Sequence, residues 1–76
     1  MMTKEQIQAQ FSEAQVLTFD EFCEKCTNGV LDVYNSHGWF HDGETLTDVK
    51  IWDETVTIDE VNQYPYVVCY NGADAK

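Results

Sequence analysis

The sequence contains no arginine, and only four lysines stand against fourteen acidic residues, a formal charge of −10 over 76 residues. Affinity for DNA or RNA rests on Lys and Arg neutralising phosphates, so direct nucleic-acid binding is not expected, and anionic membranes are repelled for the same reason. No stretch approaches the roughly 18 uninterrupted apolar residues of a membrane span. The N-terminal Met1–Gln6 has no apolar run behind Lys4, which argues against a secretory signal. The cysteines number three, an odd count that argues against a complete disulfide framework and suits a reducing, cytoplasmic location. Proline occurs once, at Pro65, and glycine four times, so each chain break they signal is informative.

Catalytic signatures are missing as well. There is no HExxH, no GxGxxG, no phosphate-binding GxxxxGK and no EF-hand loop. Acid pairs such as Asp53/Glu54 and Asp59/Glu60 are available, but a chain this short offers little concavity to shield them. The expectation is therefore a non-enzymatic protein without cofactor or metal.

What is present suits a folded chain. Apolar residues make up 43% of the sequence, and ten aromatics supply the bulk of a core. One small acidic domain over residues 1–76 is expected, with residues 73–76 frayed. Such a size makes a dimer a fair expectation too.

Thr3-Lys4-Glu5-Gln6 reads as a capping box, and Ile7, Phe11 and Ala14 share a helical face, predicting a helix over about 4–14. Thr18-Phe19-Asp20-Glu21 repeats the box, with Val16 and Leu17 as an apolar joint before it. From Phe19, apolar residues recur at helical spacing through Phe22, Cys23, Cys26, Val30 and Val33. That favours one helix to about Ser36, ended by Gly38. The competing reading stops the helix at Thr27, before the turn pair Asn28-Gly29, and makes Val30–Tyr34 a strand. Further on, Asp42-Gly43 is a turn signal. Val49 and Ile51 alternate with polar neighbours, as do Val56 and Ile58, and Asp53-Glu54 between them reads as a hairpin connection. Asp59 to Tyr64 reads as a short turn or single helical turn, and Tyr66–Tyr70 as a third strand. The fold expected is α+β: two N-terminal helices packed on a small three-stranded antiparallel sheet.

One metal pattern stands out. Cys23-x2-Cys26-x10-His37-x3-His41 has zinc-ligand residue types in closely spaced pairs, and a zinc-stabilised module is one alternative. A continuous helix from Phe19 to Ser36 would hold Cys26 and His37 about 16 Å apart, too far for one ion. Cys23 and Cys26 also lie beside Glu21 and Glu24, which disfavour a reactive thiolate. A second alternative is a regulatory or structural subunit that dimerises through an apolar helix face.

The leading expectation follows the charge. Asp42, Glu44, Asp48, Asp53, Glu54, Asp59 and Glu60 face one lysine, Lys50, so the segment 42–60 supplies −6 of the −10. Acids two apart on a strand recur every 6.6–6.8 Å or so, close to the phosphate spacing of an extended nucleic-acid strand. With Trp52 as an aromatic anchor and Trp39 as a further apolar contact, these residues form a candidate surface for a basic protein. In size and charge the chain resembles phage-encoded inhibitors of host defence nucleases, anti-CRISPR and anti-restriction proteins among them. The resemblance is one of composition. It implies nucleic-acid mimicry, with a nucleic-acid-binding nuclease or its complex as partner.

Overall fold

The computed structural model describes residues 1–31, 36–51 and 55–71. Its elements run α1 (Lys4–Gln10), β1 (Gln15–Thr18), α2 (Phe19–Thr27), β2 (Ser36–His41), β3 (Leu46–Lys50), α3 (Ile58–Val61) and β4 (Tyr66–Asn71). The strands make one sheet in the order β1-β4-β2-β3, every neighbouring pair antiparallel. The α+β class with an antiparallel sheet agrees with the sequence. Its detail does not: among the described residues there are four strands, β1 separates α1 from α2 in the chain, and a third helix precedes β4.

Both capping boxes form. The Gln6 N–H donates to Thr3 Oγ1 at 3.2 Å and the Thr3 N–H to Gln6 Oε1 at 2.8 Å. At α2 the Glu21 N–H donates to Thr18 Oγ1 at 3.1 Å and the Thr18 N–H to Glu21 Oε1 at 2.9 Å. Each box satisfies two helix-end donors that have no intrahelical partner. Lys4 Nζ also reaches Glu21 Oε1 at 2.9 Å, tying the two helices together.

Helix α1 ends at Gln10 rather than near residue 14, and Gln8 explains why. Its Nε2 donates to the carbonyls of Phe11 at 3.1 Å and Ala14 at 2.8 Å, while its Oε1 accepts from the Val16 N–H at 3.1 Å. One amide side chain thus serves backbone groups that a longer helix would have paired internally, and it turns the chain into β1.

Helix α2 ends at Thr27, correcting the favoured long helix. Gly29 adopts φ +74°, a left-handed conformation that glycine enters without Cβ strain. The Val30 and Leu31 N–H groups then both donate to the Lys25 carbonyl, at 2.9 and 3.1 Å. At the described end of the competing strand Val30–Tyr34, Val30 and Leu31 are not part of a strand; positions 32–35 lie outside the described residues. The strand begins instead at Ser36.

The expected hairpin through Asp53-Glu54 has its turn outside the described residues. Its second arm is not a strand: Val56 packs on the core and Ile58 opens α3. The hairpin that does form joins β2 to β3 through Asp42–Thr45. The short helical turn before Pro65 and the strand from Tyr66 are found where expected.

Alternation along the strands gives the sheet two distinct faces. Leu17, Phe40, Ile51, Val67 and Cys69 meet Phe22 of α2 and Val61 of α3 on one face. Val16 and Val68 meet Ile7 of α1 on the other. Strand β4 is central and covered on both faces, so Val67, Val68 and Cys69 are all fully buried. Gly38 is needed in β2, because a Cβ there would meet the Val68 carbonyl oxygen and come within 2.6 Å of Ile51 Cδ1.

Candidate acidic interface

The acids proposed from the sequence occupy three places. Asp42 and Glu44 lie in the β2–β3 turn, Asp48 lies on β3, and Asp59 and Glu60 form the first turn of α3. Trp52, Asp53 and Glu54 lie outside the described residues. All five described acids are exposed.

Asp42 is committed to its own turn. Its Oδ1 accepts from the Thr45 N–H at 2.7 Å and the Glu44 N–H at 2.8 Å, and these donors hold its carboxyl below the ordinary carboxylate range. The carboxylate is thereby fixed in place, with Glu44 beside it. Asp48 follows on the neighbouring strand, sharing a face of β3 with Lys50, whose Cα partner is Trp39. Asp59 and Glu60 stand apart, because α3 packs Val61 against the opposite face of the sheet.

The charge is scarcely neutralised. Of the ten acidic residues described, nine are exposed, and the tenth, Glu21, is half-buried. Among the described residues Glu21 alone is ion-paired, with Lys4. Its carboxyl is held low by the Thr18 backbone N–H first and by Lys4 second. The remaining acids project a single-sign field into solvent.

The zinc-type residues are not brought together. Cys23 and Cys26 pack from α2 against the face that carries Phe40, whereas His41 is buried on the opposite face, beside Phe11 and Tyr66. His37 is exposed. Among the described residues no group of three or more His, Cys, Asp or Glu is placed to hold a metal ion. Burial raises the Cys23 and Cys26 thiols above their ordinary value and pushes Cys69 up to about 12, so all three serve as small apolar packing groups.

Sequence reasoning named Trp39 as an apolar contact but missed its aromatic partner, Tyr70. On the α1 side of the sheet the rings of Trp39 and Tyr70 meet edge-on, centroids 6.4 Å apart, and both are half-buried. Their relation depends on the β2–β4 register, in which Trp39 opposes Val68 and His37 opposes Tyr70. The period-two pattern of Tyr66, Val68 and Tyr70 is visible in the sequence, but their β2 partners His41, Trp39 and His37 fall where the sequence reads a helix end at Gly38 and the chain beyond it.

Among the described residues no helix is long and apolar enough to cross a membrane. No protein-family model, curated protein or solved structure matches the chain.

Proposed function

We propose that this chain is a non-catalytic, cytoplasmic binding protein that docks on a basic, nucleic-acid-binding surface of a partner protein and blocks it by competition. The observation that carries the reading is the unneutralised field: nine exposed acids among ten described, with one ion pair. Such a field steers association toward cationic surfaces and repels nucleic acid itself. Asp42, Glu44 and Asp48 offer exposed carboxylates on the β2–β3 hairpin, which also carries Trp39. Asp59 and Glu60 on α3 form a separate acidic patch, and Trp52, Asp53 and Glu54, nominated by the sequence, lie outside the described residues. A nuclease of a host defence system, or its complex, is the kind of partner that the charge and size suit.

The test is affinity capture from a host lysate, followed by competition on the purified partner. The expected partner is basic, is released by raised salt, and is displaced by a duplex or single-stranded oligonucleotide. A partner whose binding ignores salt, oligonucleotide and charge reversal at Asp48 overturns the reading.

A further inference from the structure

We propose that the cleft between the end of α1 and strand β4 is a receptor for a single arginine side chain of the basic partner. This rests on the reading that the partner is basic, and it assigns a specific contact within it. Gln10, Phe11, Ser12, Glu13 and Tyr70 line the cleft, which has a volume of about 220 Å³.

Three features of the lining favour a planar cation. Glu13 supplies an exposed carboxylate, which can accept two parallel N–H bonds from a guanidinium. Phe11 and Tyr70 supply aromatic surface, whose negative π-face attracts cations and on which guanidinium stacks better than ammonium. The last turn of α1 presents the negative end of its dipole, with no basic residue there to offset it.

The rings are also held in place before any ligand arrives. Phe11 packs edge-on against the buried His41, at 6.4 Å and 80°, and Tyr70 packs edge-on against Trp39, at 6.4 Å and 78°. Gln8 clamps the Phe11 and Ala14 carbonyls, which fixes the loop carrying Ser12 and Glu13. An arginine entering here meets surfaces that need little further ordering, which lowers the entropic cost of binding.

The test is an NMR titration of the full chain with a capped peptide carrying one arginine, alongside the same peptide with citrulline in its place. Citrulline keeps the shape and loses the charge. The expected result is shift changes at Ser12, Glu13 and Tyr70 with the arginine peptide only. Glu13→Gln and Tyr70→Leu should each weaken binding about twofold to fivefold, while Tyr70→Phe should bind like the parent. Glu13 is exposed, so its substitution reads the contact without threatening the fold. Equal shifts with both peptides, or arginine-dependent shifts at Asp59 and Glu60 that spare the cleft, overturn the proposal. Either of those results leaves the basic-partner reading standing, because that reading is judged by the salt and oligonucleotide sensitivity of the captured partner.

Discussion

The two faces of the sheet are built to different standards. On the α2 side, Phe40 is surrounded by Phe22, Tyr64 and Phe19, with ring centroids at 5.6, 5.8 and 6.4 Å, and is sealed by Leu17, Leu31, Ile51, Val61 and Val67. On the α1 side, among the described residues, Ile7, Val16 and Val68 make the buried apolar cluster, with a histidine beside it and half-buried aromatics around it. One difference is helical length: α1 has seven residues, whereas α2 has nine and shares its face with α3. Seven helical residues span about 10 Å, whereas four strands spaced about 4.8 Å apart are about 14 Å wide. Helix α1 packs on β1 and sets Ile7 against Val16 and Val68, Phe11 just beyond it meets His41, and on the same face Trp39 stays half-buried and His37 exposed. One face carries most of the buried apolar core, and the other keeps more of its aromatic surface accessible.

The largest expected effect compares truncations on the two faces. Phe40→Ala should cost about 3–5 kcal/mol in denaturant unfolding, a large share of the stability of so small a fold. Tyr70→Leu, on the open face, should cost under about 1.5 kcal/mol. Equal losses would mean that the α1 face is as tightly built as the other. Next comes Gly38→Ala, which pushes a methyl group against the Val68 carbonyl and Ile51. It should lower stability by about 1–3 kcal/mol, and pairing it with Ile51→Val should recover part of that loss.

A smaller effect has the opposite sign. Gln15 Oε1 is buried without a hydrogen-bond partner, and its residue opposes Cys69 on β4, a pairing that places it on the α2 side. Gln15→Leu removes that orphan acceptor and should raise stability by about 1 kcal/mol, read as a higher denaturation midpoint.

The smallest effect belongs to pH. His41 is 1% exposed, its Nδ1 accepts from the Gly43 N–H at 2.9 Å, and burial lowers its pKa from the ordinary 6.5, with Asp42 opposing. The unfolded chain therefore takes up the proton first, so stability falls as pH drops below 6.5 toward the folded-state value. Glu21 acts at lower pH: its depressed pKa gives stability present above 4.5 and lost as pH falls through its folded value. His41→Phe should remove the upper limb of the acid-induced loss and leave the lower one. If both limbs survive, His41 is not the group responsible.

The contrast between the faces also explains what could be read from the sequence. The capping boxes at Thr3 and Thr18 were legible because they are local, with both partners within three residues. The single helical turn before Pro65 and strand β4 were legible for the same reason. Strand β1 was not, because Val16 and Leu17 face different cores; a strand covered on both sides loses its alternation. Strand β2 was hidden by Cys23, Cys26, Val30 and Val33, whose helical spacing continues across a glycine that in fact adopts positive φ. With the helix carried to Ser36 and ended by Gly38, no strand was left at Ser36–His41, so the contact of Trp39 with Tyr70 and the burial of His41 could not be foreseen. The exposure of the acids followed from composition. Their division between the β2–β3 hairpin and α3 depended on a topology that only the three-dimensional structure supplies.

The central claim is that the exposed carboxylates stand in for a nucleic acid on a basic surface. The most direct measurement is the affinity for the captured partner at about 0.05 M and about 0.5 M salt, with and without a competing oligonucleotide. The account predicts affinity that falls steeply across that range, and displacement by the oligonucleotide at low salt. Affinity unchanged by salt, with the oligonucleotide and the protein bound together on the partner, would contradict it.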